Sequence, residues 1–342
     1  MTLLFPARTL TVEAALRDLR AGSAKARAVA AQVLGDVGPD DHDRARAALV
    51  AALDDDAAEI RAEAAASLGA LLADQAGAAD AAAVAGLVRR LDDGVAGVRQ
   101  AAAIALGTIR APAGFAPLAS ALRHGPADLR YQAATSLCEI DPPAAYEPLV
   151  AALADPDAQV VGAVALALGA TGDARAAGRV AGLLDHTDAG VRFDAAYALA
   201  QLGDRRGLEV LTAALTDPER DWDAATALIE LGDASAAAAL AALLGRRKTT
   251  PQVQARAAGA VLGLDPDGPY AARARVHLLD LLGNRRLPVR GCAVEELARV
   301  GGHWATAPLE QLARSRKGRD LHDAIVEALA TIRGRGTPAA PR

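Results

Sequence analysis

The residues able to do chemistry in this chain are few, and most of them sit at spacings that do not favour it. Six histidines, His42, His124, His186, His277, His303 and His322, are the candidate metal ligands. No two of them stand three or four residues apart, the spacing that places a ligand pair on one helix face. The densest ligand cluster is Asp185-His186-Thr187-Asp188. It falls where a turn between two helices is expected, so helix capping explains it better than a metal does. Cys138 and Cys292 lie in apolar helical stretches without an activating motif, which reads as packing rather than nucleophilic use. There is no Gly-x-Ser-x-Gly elbow, phosphate-binding Gly-rich loop or dinucleotide fingerprint. The sequence predicts no catalytic constellation, no metal site and no cofactor. What remains is electrostatic: three clusters of cations at Gly245-Arg246-Arg247-Lys248, Gly283-Asn284-Arg285-Arg286 and Arg314-Ser315-Arg316-Lys317-Gly318-Arg319. Positive clusters of this kind attract phosphates or acidic protein surfaces.

The elements that position these clusters repeat. An aliphatic residue followed by Arg, then Ala four and seven residues on, Leu at eight and often Gly at nine, is clearest at Val98-Arg99 through Gly107. The same frame fits units starting at Ala26, Ile60, Val98, Leu129, Val160, Val191, Arg220, Val253, Val289 and Leu321. Positions 0, +4, +7 and +8 share one face of a helix, and the small residues there let a neighbouring helix approach. Gly at +9 (Gly35, Gly69, Gly107, Gly169) reads as a close-packing position. Gly at +12 (Gly38, Gly172, Gly203, Gly232, Gly301) reads as a left-handed residue ending the helix. Upstream of each unit a second amphipathic stretch carries Leu at helical spacing, such as Leu118 and Leu122. A polar turn joins the two, for example Asp92-Asp93-Gly94 or Asp155-Pro156-Asp157, whose Asp can cap the second helix. Each unit is therefore helix A, a short turn and helix B, about ten times over.

Composition agrees. Alanine fills about a quarter of the 342 positions and Phe, Tyr and Trp together only nine, so helices packed at close range are expected. The longest stretch without a charge, Ala158 to Gly172, is too short to cross a bilayer. No basic start with an apolar segment precedes Leu10, and two cysteines make no disulfide framework. Together these predict a cytoplasmic protein without membrane insertion.

With its Leu-rich helix A, the Asp155-Pro156-Asp157 turn and the Val98 to Gly107 motif, the chain resembles the HEAT repeat family. It is most similar to the short bacterial, phycobilisome-lyase-like subtype, over about Leu10 to Ile332. The resemblance implies an all-α fold, an α-solenoid of about ten hairpins whose B helices line a concave side. The expected organisation is an extension over 1–9, one solenoid over 10–333 and a flexible tail over 334–342, with an Ala/Gly-rich loop inserted at Asp74 to Asp80. Bilin lyases give the subtype its name, and a bilin lyase-like activity is the enzyme alternative. Deoxyhypusine hydroxylase, a di-iron HEAT enzyme, carries repeated His-Glu dipeptides; this chain has none.

Arg at +1 (Arg27, Arg61, Arg99, Arg130, Arg192, Arg290) reads as a structural ladder to turn carboxylates, or otherwise as a row facing a ligand. Val161, Asp221 and Gln254 interrupt it. Charge divides the solenoid: residues 240–342 hold seventeen Lys and Arg against nine Asp and Glu, whereas 10–239 is acidic. Because equivalent turns stack, Arg246, Arg247, Lys248, Arg285, Arg286, Arg314, Arg316, Lys317 and Arg319 are expected to form one basic ridge. The functional expectation is a non-enzymatic scaffold holding an acidic protein partner on that ridge or in the B-helix groove. Phosphate or nucleic-acid binding is the alternative. It is disfavoured by the acidic chain and by only two tryptophans, Trp222 and Trp304. Opposite charge at the two ends also permits head-to-tail self-association, although the last unit's Arg-rich helix A reads as a polar cap.

Overall fold

A computed structural model describes residues 10–73 and 80–335. The 1–9 extension, residues 74–79 of the inserted loop and residues 336–342 of the tail lie outside the described residues. Among the described residues there are twenty α-helices and no strand. They form ten antiparallel hairpins, and the ten B helices coincide with the ten sequence units. Two compact units divide the chain, Met1–Arg179 and Val180–Arg342.

In the first unit the A helices are α1 (Val12–Ala21), α3 (His42–Ala52), α5 (Ala81–Arg90), α7 (Pro112–His124) and α9 (Pro142–Ala152). They alternate with B helices α2 (Ala24–Leu34), α4 (Ala58–Leu72), α6 (Ala96–Thr108), α8 (Ala127–Ile140) and α10 (Ala158–Ala170). The division falls within α11 (Ala177–Ala181). The second unit continues with α12 (Ala189–Gln201), α13 (Leu208–Ala214), α14 (Asp221–Leu231), α15 (Ala237–Ala242) and α16 (Pro251–Leu264). It ends with α17 (Ala271–Leu282), α18 (Leu287–Val300), α19 (Thr306–Arg314) and α20 (His322–Arg335). Successive hairpins stack within each unit, the α-solenoid architecture.

The repeat frame predicts the core. Val98, Ala102 and Leu106 of α6 are fully buried, as are Val289, Ala293 and Leu297 of α18. Gly at +9 lets B helices meet backbone to backbone. A Cβ on Gly69 would lie 3.1 Å from the Ala105 Cα, and one on Gly107 would lie 3.0 Å from the Ser136 Cα. The +12 glycines split. Gly172, Gly203 and Gly232 adopt φ of +67°, +72° and +70°, as expected of a left-handed terminator. Gly38 and Gly301 do not: their φ values are −69° and −66°, and the chain leaves those helices through extended backbone. Each left-handed glycine is followed by Asp173, Asp204 or Asp233, whose carboxylate accepts an N–H two residues on and opens a 3-10 turn before α11, α13 or α15. The polar cap also needs correcting. Helix α19 buries Leu309 and Leu312, and of the expected cations only Arg314 lies on it. The others fall after it, in Arg316–Leu321, a 3-10 helix.

Candidate partner-binding surface

Turn geometry follows from position +1. In the first unit each ladder arginine does two jobs. One guanidinium nitrogen donates to carbonyls of its own A–B turn: Arg27 to Gly22, Arg61 to Asp55 and Asp56, Arg99 to Asp93, Arg130 to Gly125. The rest of the group reaches a carboxylate of the next hairpin, in its A–B turn for Arg27, Arg61 and Arg130 and at the start of α8 for Arg99. Arg61 Nε is 2.8 Å from Asp93, Arg130 Nε is 2.7 Å from Asp155, Arg27 Nε is 2.9 Å from Asp55 and Arg99 is 2.9 Å from Asp128. The ladder reading holds here, with carbonyls rather than carboxylates as the own-turn partners. Hydrogen bonding from Arg61 holds the Asp93 carboxyl below the usual carboxylate range, against the opposing effect of burial.

The capping reading holds only in part. Asp157 and Asp188 cap α10 and α12 through N–H groups of the first helical turn. Asp55 and Asp93 instead accept the N–H of Ala57 and Val95, the residues just before their helices, while gripping the ladder arginine. His186 Nδ1 lies 3.1 Å from the backbone nitrogen of Asp188, its hydrogen-bond partner, so His186 and Asp188 are spent on their own turn.

In the second unit the three basic turns are built differently. The first, Gly245 to Thr250, begins with a left-handed glycine (φ +80°) and is held by Gln254 in place of Arg. Gln254 Nε2 donates to the carbonyls of Arg246 and Thr249, and its Oε1 accepts the Gly245 N–H at 2.8 Å. The second, Gly283 to Arg286, is held by Arg290, which donates to the carbonyls of Asn284 and Arg285 at 3.0 Å. The third begins at Ser315, whose hydroxyl accepts the Gly318 N–H. Lys317 Nζ, 2.6 Å from the Gly283 carbonyl, ties the third turn to the second. Arg273 of α17, donating to the Leu244 carbonyl, ties that helix to the first turn.

Eight of the nine predicted cations thus lie on three consecutive A–B turns, and Arg314 is the last residue of α19. Arg246 is half-buried and the other eight are exposed. Only Arg314 has a carboxylate within ion-pair distance among the described residues, Glu310 at 3.8 Å.

A second surface follows from no local motif. On the B helices of the second unit, Arg220 lies over the Phe193 ring at 5.2 Å and Arg256 over the Trp222 ring at 5.5 Å. Phe193 and Tyr197 are edge-tilted neighbours at 6.5 Å. Trp222 stays 42% exposed. Behind them Glu296, buried at +7 of α18, is held by Arg256 at 3.1 Å and Arg299 at 2.6 Å. Gly259 leaves room for that carboxylate, since a Cβ there would overlap it. The available signal was the +2 column, where Tyr131, Phe193 and Trp222 all fall.

Elsewhere the titratable groups are used for packing. Burial pushes the Cys138 thiol up to about 12, with Glu139 adding to it, and its Sγ donates to the Ala167 carbonyl. Burial likewise raises Cys292 and lowers His277. Among the described residues no group of three or more His, Cys, Asp or Glu is placed to hold a metal ion.

Comparison with known proteins gives the fold a context. A family model for HEAT repeats matches residues 12–107, 115–200 and 147–232, and one for the PBS lyase HEAT-like repeat matches 98–124. No curated protein matches the chain. Among solved structures, the CpcE–CpcF complex of phycocyanin lyase from Nostoc sp. PCC7120 is 24% identical over 81% of this chain and 98% of that one, with a TM-score of 0.41. Human deoxyhypusine hydroxylase is 23% identical over 84% of this chain and 94% of that one, with a TM-score of 0.34. Kap95p, in a structure of its binding to RanGDP, is 12% identical with a TM-score of 0.55. The match covers 98% of this chain and 53% of Kap95p, a likeness of fold.

Proposed function

The chain belongs to the HEAT repeat family, and on that premise we propose that it is a non-enzymatic scaffold or adaptor of the cytoplasm. In this reading it holds an acidic protein partner on the basic turns of its second unit. One observation carries the reading. Turns that in the first unit consume their arginines on internal aspartates present, in the last three hairpins of the second, cations without carboxylate partners. Desolvating such a surface against a neutral partner is costly, whereas an acidic one supplies the missing counter-charge. Stacked hairpins also offer the long, regular face that suits scaffolding. Among the described residues no helix is long and apolar enough to cross a membrane.

A second reading rests on Trp222. Its exposed ring, with Tyr197 and the cations Arg220 and Arg256 alongside, is the kind of aromatic and arginine cluster that anchors protein interfaces. The same scaffold could use this B-helix face in place of the turns.

The deciding experiment is a nuclease-treated pull-down from the source organism, read by mass spectrometry. It compares wild type with a variant carrying Glu at Arg246, Arg247, Arg285, Arg286, Arg316 and Arg319, and with Trp222→Ala. A protein retained by wild type and Trp222→Ala but lost from the charge-reversed variant supports the basic turns. Loss only in Trp222→Ala moves the partner to the B-helix face. Nucleic acid recovered when nuclease is omitted, with no protein partner, overturns the scaffold reading in favour of phosphate recognition. Copies of the chain recovered with one another would point to head-to-tail self-association.

A further inference from the structure

The ladder has a register. The carboxylates that meet Arg27, Arg61 and Arg130 come from Asp55, Asp93 and Asp155, each five residues before the start of the next repeat unit. Uncharged Gln254 is followed at that position by uncharged Asn284, and apolar Val161 by His186. Three arginines depart from the register: Arg99 is followed at that position by His124 and takes its carboxylate from Asp128 instead, Arg192 is followed by Leu215, and Arg290 by Arg316.

The consequence is visible around Arg290. The residue is only 6% exposed. One guanidinium nitrogen is spent on the carbonyls of Asn284 and Arg285. Its Nε is buried with no hydrogen-bond partner, as are those of Arg27 and Arg99, but those two have a carboxylate 2.9 Å away. Lys317 donates to the adjoining carbonyl, that of Gly283. Two cations therefore hold three consecutive carbonyls, 283 to 285, and neither has a carboxylate within ion-pair distance among the described residues. A buried guanidinium without a counter-ion is an expensive arrangement, and a carboxylate relieves it through charge-assisted hydrogen bonds. Arg192 also lacks an ion pair, but it lines a groove of about 620 Å³ together with Asp185, Glu209 and Asp217, so negative charge is already at hand there.

We propose that Arg290 and Lys317 form a carboxylate slot that takes an Asp or Glu side chain from an acidic partner. The partner supplies in trans the group that the chain's own turns supply at Arg27, Arg61 and Arg130. Lys317, exposed and lying across the loop, exchanges its carbonyl contact for the incoming carboxylate. This rests on the basic-turn reading and narrows it to one anchor point.

The test uses the full chain and a fluorescein-labelled Asp/Ser peptide of ten residues, read by fluorescence anisotropy, with the Asn/Ser peptide as control. Arg290→Gln removes the charge while keeping a side chain that Gln254 shows can hold such a turn. Arg316→Asp places a carboxylate at the register position and closes the slot from within. Arg247→Gln/Lys248→Gln removes two cations from the first turn. The expected result is binding of the Asp peptide alone. It should weaken about tenfold or more in Arg290→Gln and in Arg316→Asp, but less than about threefold in the first-turn variant. Arg316→Asp should also raise the melting temperature, a readout that does not depend on Arg290→Gln folding. Equal weakening in all three variants would leave the basic turns in place and sink the slot. No binding of the Asp peptide by wild type would sink both. Displacement of the peptide by inorganic phosphate, beyond that by chloride at matched ionic strength, would make the site a phosphate site instead.

Discussion

The two units solve one structural problem with opposite charge bookkeeping. In Met1–Arg179 four hairpins are tied by an arginine from the preceding B helix to an aspartate, of the turn itself in three and of the start of α8 in the fourth. In Val180–Arg342 the last three turns are cationic, and two of them keep their shape through carbonyl contacts to Gln254 and Arg290. The carbonyl contacts are therefore the part of the ladder needed to shape a turn. The carboxylate is separable: where it is present it tightens the stack, and where it is absent it leaves positive charge for something else.

The largest effect should be blind to this difference, because both units share one core frame. Leu106→Ala and Leu297→Ala each remove a fully buried B-helix side chain. Each should cost roughly 2–5 kcal/mol in chemical denaturation. A loss below about 0.5 kcal/mol at either site would break the common frame.

The ladder itself should separate the units. Asp93, whose side chain is 4% exposed, takes two hydrogen bonds from Arg61 at 2.8 and 2.9 Å. Asp93→Ala should cost about 1–3 kcal/mol, while Arg316→Ala at the same register should fall within about 0.5 kcal/mol of wild type. Equal losses would erase the contrast. The pH dependence sharpens it. Since the folded Asp93 carboxyl titrates below its unfolded value, its stabilisation is complete above the unfolded value and disappears as pH falls through the folded one. The gap between wild type and Asp93→Asn, measured by denaturation across pH 2 to 7, should therefore close in acid. Asp221 of the second unit runs the other way. Burial, with Asp217 and Asp223 adding to it, raises its carboxyl. The charged form thus weakens folding as pH rises from the unfolded value through the folded one, so Asp221→Asn should be the more stable protein at neutral pH and lose that advantage in acid.

The smallest effect concerns the +12 glycines. Gly203→Ala forces a left-handed backbone on alanine, although nothing crowds its Cβ, and should cost about 1 kcal/mol. Gly38→Ala, in ordinary backbone and open space, should be neutral or slightly stabilising. Thermal melts of the two variants check the difference.

These contrasts also show how far the sequence could be read. Gly at +9 announced close helix contact because a missing Cβ has one common use in a regular helix, and Gly69 and Gly107 meet that use. Gly at +12 was ambiguous, because glycine tolerates both signs of φ; Gly38 and Gly203 share a register and differ in backbone. Eight of the nine cations were legible as turn residues, Arg314 closing α19 instead. That they lack carboxylates was not, because an arginine's reach of several ångströms lets many acids compete for it. The Trp222 face escaped for a related reason: its members come from α12, α14 and α16, and no local motif joins them.

What the sequence determined by itself was the period: small and aliphatic residues at 0, +4, +7 and +8 can bury their face only against a neighbouring copy, so the hairpins of each unit must stack. What only the tertiary structure decided was which charges meet. Ion pairing depends on distances between side chains some 25 to 40 residues apart in sequence, as in Arg130–Asp155 and Arg256–Glu296. Those distances exist only once the hairpins have packed. The period therefore fixes the frame, and packing alone distinguishes an arginine closed by an aspartate from one, like Arg290, left open.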